Sequence, residues 1–267
     1  KLYIANSILS ITGKLKSKND SLISSQTKNF DIAFNDQIFN WRELNKKFNL
    51  KKMSNDTCTL VNLLEKHNNN SILRKLNGMF AYCILDKKKG VINIATDPQG
   101  EKKLFYYNDK DYFIISSTIS SILELIKNKT KLNTNKIEEY FTTRHFLFDE
   151  KTIYQNIKIF KPGKTYQFDL KDFKIISKFY DNPINWISAK QMKENINLNN
   201  NQIIKKIKDI FFKQLNLMIP PKPFGTIFSG GVDSSLQSAM LSIIKKPKFS
   251  IALNHVRKDK ITENIGK

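Results

Sequence analysis

The stretch MFAYCILDKKKGVINIATD, residues 79–97, decides the fold. Two runs rich in β-branched and aromatic residues, MFAYCILD (79–86) and GVINIATD (90–97), flank a KKKG turn and read as a β-hairpin. On either side, FDIAFN (30–35), LFYY (104–107) and YFIISS (112–117) are further short strand-like runs bounded by Asn, Asp and Gly. DTCTLVNLLEKH (56–67) places Leu60, Leu63 and Leu64 on one helical face, with Asp56 or Thr57 as its N-cap. The sum is a strand-rich α+β layer structure.

Further along, NTNKIEEYFTTRHF (133–146) has helical character, and KTIYQNIKIFKPGKTYQFDL (151–170) returns to strands broken at Pro162 and Gly163. Residues 181–200 are polar, Asn-heavy and poorly periodic, and are assigned as a linker. QIIKKIKDIFFKQLNLMI (202–219) carries apolar residues at 203, 207, 210, 211, 215 and 218, a helical spacing that ends at PPKP. The chain divides on this basis into a domain over 1–180, the linker, and a second domain beginning at 201. A length of 267 residues favours two domains, or one and part of another.

Lys plus Arg exceed Asp plus Glu by 45 to 24, for a net charge of +21. The lysines are spread over the whole chain among many Asn and Ile, which argues for a coding bias and against a nucleic-acid or membrane surface. Anionic substrates still gain from such a field. Cys58 and Cys83 show no CxxC spacing and no disulfide framework, and no signal or spanning segment is visible, so a reducing cytoplasmic setting is expected.

The second domain opens with TIFSGGVDSSL, residues 226–236. A short buried-type strand, FGTIF, feeds a Gly-rich turn that opens a helix, the arrangement in which backbone amides and the helix dipole converge on an anion. Gly230 and Gly231 let the backbone approach closely, Ser229, Ser234 and Ser235 add hydroxyls, and Asp233 suggests Mg²⁺ bridging carboxylate and phosphate. The loop has no Lys and is not a Walker loop. SGGxDS after a hydrophobic strand resembles the PP-loop of ATP pyrophosphatases.

The N-terminal half narrows the resemblance. FNDQIFNWRELNKKF (34–48), SNDTCTLVNLLEK (54–66), the 76–107 segment and SSTISSILEL (116–125) are similar, in order, to segments of class II glutamine amidotransferase domains. Together with the PP-loop they resemble the glutamine-hydrolysing asparagine synthetase family. The resemblance implies an N-terminal αββα sandwich of the Ntn-hydrolase type, followed by the start of a parallel α/β PP-loop domain of the HUP type. It implies adenylation of a carboxylate by ATP with Mg²⁺, and capture by ammonia released from glutamine. Aspartate is the implied acceptor. A relative acting on a sugar acid or closing a β-lactam-type ring, and a non-catalytic fragment, are the alternatives; a homodimer is consistent with the family.

Carried over by position, the backbone from Leu2 through Ile4 to Ala5 lines the glutamine site, Asn35 stands as the oxyanion-hole amide with Asp36 beside it, and Asp56 stands as the acid for the glutamine ammonium. Phe228, Ser229, Gly230, Gly231, Asp233, Ser234 and Ile251 form the implied ATP site, with Asp233 on the metal and Phe228 and Ile251 against adenine. Lys1 stands where the family has Arg, Asp36 where it has Gly, Gln37 and Cys58 where it has Glu, and no N-terminal Cys nucleophile is present. No catalytic residue is therefore assigned; the chain reads as a fragment lacking both ends, unable to complete the reaction alone. Asp97 reads as turn chemistry before Pro98, and His67 as a helix-terminal cation. Arg144 and His145 read as helix residues near the domain joint.

Overall fold

The computed structural model describes residues 2–6, 22–50, 53–67, 70–127, 129–146, 149–182 and 186–252. The chain divides into two compact units, Lys1–Ile187 and Ser188–Lys267.

The first unit is built on the expected hairpin. Strands β1 (Ile23–Ser24), β2 (Phe30–Ile38), β3 (Gly78–Asp86), β4 (Val91–Thr96), β8 (Lys164–Asp169) and β9 (Ile175–Phe179) form one antiparallel sheet in the order β1-β2-β3-β4-β8-β9. The β3–β4 turn closes because Asp86 Oδ1 accepts the Lys88 and Lys89 amides, both at 3.1 Å, while Gly90 adopts φ +66°. A second antiparallel sheet, β6-β5-β7, comprises β5 (Phe105–Asn108), β6 (Phe113–Ser116) and β7 (Ile157–Ile159). Its helices are α1 (Trp41–Lys47), α2 (Asp56–His67), α3 (Asn70–Leu73), α4 (Ile119–Leu125) and α5 (Thr134–Thr143).

Strand alternation sorts the apolar side chains into three cores, and these define the layers. Phe80, Tyr82 and Ile84 of β3 pack with Leu60, Leu63 and Trp41 of the helices. The opposite face of the same sheet, through Ala81, Ile94 and Phe168, meets Tyr106 and Phe160, with Phe113 stacked on Phe168 at 3.9 Å. Tyr107 and Ile157, on the outer face of the small sheet, meet Ile122 and Ile126 in and beside α4. The order is helix, sheet, sheet, helix: the αββα sandwich.

Several local expectations need correction. The N-cap of α2 is Asn55, whose Oδ1 accepts the Cys58 amide at 2.8 Å; Asp56 already lies within the helix. β1 and β9 were not expected from the sequence, being short or largely exposed edge strands with little apolar signature. The 181–200 stretch contains a helix, α6 (Ala189–Ile196), opened by a capping box between Ser188 and Gln191. No α6 residue is buried, although Ala189, Met192 and Ile196 recur at helical spacing.

The second unit continues with α7 (Asn200–Met218), β10 (Gly225–Phe228), α8 (Val232–Ile244) and β11 (Phe249–Ala252). β10 and β11 pair in parallel around α8, and Leu215, Met240 and Leu241 form the centre of the core. FGTIF was expected to be buried, yet Ile227 is 68% exposed. A buried parallel strand needs cover on both faces, and the described residues supply that only in part. Among the described residues no helix is long and apolar enough to cross a membrane.

One ion cluster fastens α5. Lys136, 4% exposed, places Nζ 2.7 Å from Glu139 Oε2 and 2.9 Å from Asp149 Oδ1. Burial opposes the Lys136 ammonium, but the bonds to Asp149 and Glu139 prevail and its pKa is raised. Burial likewise works against the Asp149 carboxylate, while Lys136 and the Lys151 amide hold its pKa below the ordinary value. A carboxyl depressed on folding stabilises the fold above its unfolded pKa of roughly 4 and loses that contribution as pH falls through the folded value. The raised ammonium keeps its contribution through neutrality and loses it only in strong alkali. Lys136→Met is expected to lower stability by about 2 kcal/mol at pH 7, less than for a fully buried pair because Asp149 is half in solvent. Thermal melts at pH 7 and pH 3 check this: the gap between wild type and variant should narrow at pH 3, below the unfolded carboxyl value, where the Asp149 contribution is being lost.

Candidate functional site

In the first unit, the residues expected at the glutamine site lie on three segments: 2–6, β2 and the first turn of α2. Asn6 Nδ2 donates to the Phe34 carbonyl at 3.2 Å, which lays residues 2–6 beside β2. Leu2 is exposed and Ile4 half-buried. Asn35 is half-buried, opposite Ala81 of β3, on the strand face turned away from the Phe34 core. Asp36 occupies the next strand position, opposite Phe80. Asp56, 5% exposed, reaches from the first turn of α2 and accepts the Ile38 amide on Oδ2 at 3.1 Å. Thus β2 and α2 are joined through this carboxylate. Lys1 lies outside the described residues.

The thiols are no substitutes for a nucleophile here. Burial between the sheets pushes the Cys83 thiol up to about 12, which leaves it protonated at neutral pH. Cys58 Sγ pairs with Ser54 Oγ at 3.5 Å on the α2 N-terminus.

Asp97 is a turn residue, and more. It is 1% exposed; Oδ1 accepts the amides of Gln99 and Glu101, each at 3.0 Å, and Oδ2 accepts those of Lys102 at 3.0 Å and Phe80 at 3.3 Å. Its carbonyl also accepts the Gly163 amide at 3.3 Å, and Gly163 O in turn accepts the Tyr180 amide at 2.9 Å. Pro98 and Gly100 flag the local turn in the sequence; the reach to β3 and β8 has no sequence signal. Tyr180, 1% exposed, donates its hydroxyl to Thr96 O at 2.7 Å and receives Arg74 Nε on its own carbonyl. His67 ends α2 and packs edge-on to Phe48 at 4.8 Å. Arg144 is the left-handed C-cap of α5, φ +58°, and His145 follows it on the surface.

Asn40 and Gly78 went unassigned in the sequence. Asn40 Oδ1 accepts the Asn77 amide at 2.9 Å and Nδ2 donates to Lys75 O at 2.8 Å. A Cβ on Gly78 would lie 2.2 Å from Gln37 O, so only glycine allows this strand approach.

In the second unit, Ser229, Gly230 and Gly231 connect β10 to α8, with Gly230 at φ +80° and Gly231 as the N-cap. Ser234 Oγ lies 3.0 Å from Ser229 Oγ and donates to Gly231 O at 3.1 Å, while Ser235 Oγ donates to the same carbonyl at 2.7 Å. The Ser229 amide leans on Ser234 Oγ at 3.4 Å. Among the described residues nothing accepts from the amides of Gly230, Gly231, Val232 or Asp233. Asp233 stands in the first turn of α8. Phe228 and Ile251 do not converge on one face: Ile251 pairs with Ile227, so Phe228 belongs to the other side of the two-stranded sheet.

The glutamine amidotransferase domain family model matches residues 1–180. A Methanocaldococcus jannaschii protein provisionally named asparagine synthetase (glutamine-hydrolysing) 2 is 31% identical over 208 residues, covering 76% of this chain and 38% of that protein. Asparagine synthetase (glutamine-hydrolysing) 1 of Bacillus subtilis is 27% identical over 218 residues, covering 80% and 33%. The chain thus spans little more than a third of these relatives' length. Among solved structures, the glutamine phosphoribosylpyrophosphate amidotransferase of B. subtilis, complexed with ADP and GMP, aligns with a TM-score of 0.43 at 16% identity, covering 89% of this chain and 49% of that one.

The Asp97 geometry makes a direct prediction. Asp97→Asn leaves one acceptor oxygen where the carboxylate has two, so two buried amides face a donor. A loss of about 3 kcal/mol is expected, or roughly 9 °C in melting temperature at this chain length, read by differential scanning calorimetry. A change under about 2 °C would remove Asp97 from this structural role.

Proposed function

The chain belongs to the glutamine amidotransferase domain family, and from that premise we propose that it serves ATP-dependent amide formation of the asparagine synthetase kind. The first unit takes glutamine as ammonia source. Backbone of Leu2 and Ile4 lines the substrate, Asn35 donates its carboxamide N–H to the oxyanion that develops at the amide carbon, Asp36 borders that position, and Asp56 receives the ammonium of glutamine. The second unit activates the acceptor carboxylate, with aspartate first and another small carboxylate second.

The observation that carries the reading is the 229–234 loop. It follows a strand, opens a helix of more than three turns, turns at a positive-φ glycine and presents four amides without acceptors among the described residues. A Cβ at Gly231 would meet only Ser229 Oγ, at 3.6 Å, so the described residues leave the space beside this residue unfilled. These features fit a nucleotide diphosphate: Gly230, Gly231 and Ser234 hold its oxygens, and Asp233 holds Mg²⁺. Bound ATP supplies the activation of the carboxylate and a diphosphate leaving group. Phe228 and Ile251, on opposite faces of the two-stranded sheet, are not both taken as base contacts in this reading.

Two measurements test this on the full-length protein. Millimolar ATP with Mg²⁺ is expected to raise the melting temperature by roughly 5 °C, since saturation at a hundred times Kd is worth about 2.7 kcal/mol. Asp233→Asn should cancel most of that rise without lowering the unliganded melting temperature. Exchange of labelled pyrophosphate into ATP, run across a panel of carboxylic acids, then identifies the acceptor. A wild-type protein that neither shifts nor exchanges with any acid defeats the nucleotide reading.

A further inference from the structure

Asn40 occupies the N-cap position of α1, and Asn is among the side chains best suited to capping. Yet its side chain makes no cap bond to its own helix, whose first turn it meets only through the carbonyl that accepts the Leu44 amide at 3.0 Å. Both functional atoms turn to another segment instead, Oδ1 to the Asn77 amide at 2.9 Å and Nδ2 to the Lys75 carbonyl at 2.8 Å. The main chain repeats the tie next door, where the Phe39 amide donates to Asn77 O at 2.7 Å. A helix start that forgoes its own cap is a local conflict, and such conflicts gather where a site must be held in place.

What the tie holds is register. From this end the pairing runs Ile38 with Gly78, Gln37 with Met79 and Asn35 with Ala81. Gly78 has no Cβ to separate the strands, and a side chain there would strike Gln37 O. A slip by one residue would move every β2 side chain to the other face. Asp56 braces β2 from the opposite side through the Ile38 amide.

We propose that Asn40 is a positioning residue: by clamping residues 75–77 to the end of β2 it fixes the β2–β3 register and so the direction of the Asn35 carboxamide. The proposal rests on the reading of Asn35 as part of a glutamine site, but its structural half can be measured without that reading. Asn40→Ala removes both bonds. Asn40→Asp keeps an acceptor for the Asn77 amide and a good capping side chain, and loses the donor to Lys75 O.

The experiment uses the full-length protein labelled with ¹⁵N. The side-chain amide signals of Asn35 are followed, with those of Gln167, which pairs with Asn93 Oδ1 at 3.2 Å on β8, as a remote control. Calorimetric titration with glutamine runs in parallel. In Asn40→Ala the Asn35 signals should move or broaden while Gln167 holds, and glutamine affinity should fall about tenfold or more. Asn40→Asp should fall between wild type and Asn40→Ala. Unmoved Asn35 signals in both variants overturn the proposal; so do equal changes at Asn35 and Gln167 with a large loss of melting temperature, which would mark a merely structural residue. A wild type that takes up no glutamine defeats the glutamine reading, and the Asn35 signals then decide the positioning role alone.

Discussion

One buried carboxylate ties together the end of the sandwich on which everything proposed for the first unit depends. Four backbone amides converge on Asp97, from the 99–102 loop and from Phe80, within 3.0 to 3.3 Å. A carboxylate taken out of water is tolerated only when its lone pairs are met, and here they are met by main chain that the loop would otherwise leave unpaired. The consequence is long-range. Phe80 lies beside Ala81, the partner of Asn35, and Gly163 joins the same knot to β8 and Tyr180. Gly163 must be glycine twice over, at φ +67° and with Asp181 O 2.3 Å from where a Cβ would stand.

The start of α2 shows how a change of one position redistributes roles. Capping falls to Asn55, and the neighbouring Asp56 is thereby released to bond the Ile38 amide. Cys58, whose amide Asn55 receives, is the third helical residue. A Glu at that position completes a capping box by reaching back to the cap amide. The departure from Glu at 58 therefore bears on how the helix begins, where Ser54 now partners the thiol, and not on reacting atoms. Of the other substituted positions, Asp36 and Gln37 fall in β2, and Lys1 lies outside the described residues.

Legibility in the sequence followed the range of the interactions. The hairpin, α2 and α7 could be read because their apolar spacing is local, and their ends were off by two residues or fewer. β9 could not, because an edge strand with Ile176 67% exposed carries no alternating pattern to detect. α6 is held by its Ser188–Gln191 capping box, two residues in a run otherwise resembling a linker. For the site, residue types were readable and reach was not. Asp97 announced a turn through Pro98 and Gly100, whereas its bond to Phe80 spans 17 positions and is set by the sheet. Asn40 was invisible for the same reason: its partners lie 35 and 37 residues away.

The two units place their chemistry on different kinds of support. In the proposed reading of the first, polar side chains carry the chemistry, so their value depends on strand register and on braces such as Asp56 and Asn40, and substitution at one position can undo it. In the second, the donors are backbone amides at a helix start, aimed by Gly230 and insensitive to most side-chain changes nearby. An anion is drawn to such amides by the helix dipole, and the surplus of 45 basic over 24 acidic residues adds a long-range field of the same sign. That field is screened beyond about 8 Å at physiological ionic strength and so cannot position anything. In the proposed nucleotide site, position would come from the Gly230 turn and the seryl hydroxyls of 229 and 234, so the reading rests on the seven residues SGGVDSS and not on the basic composition.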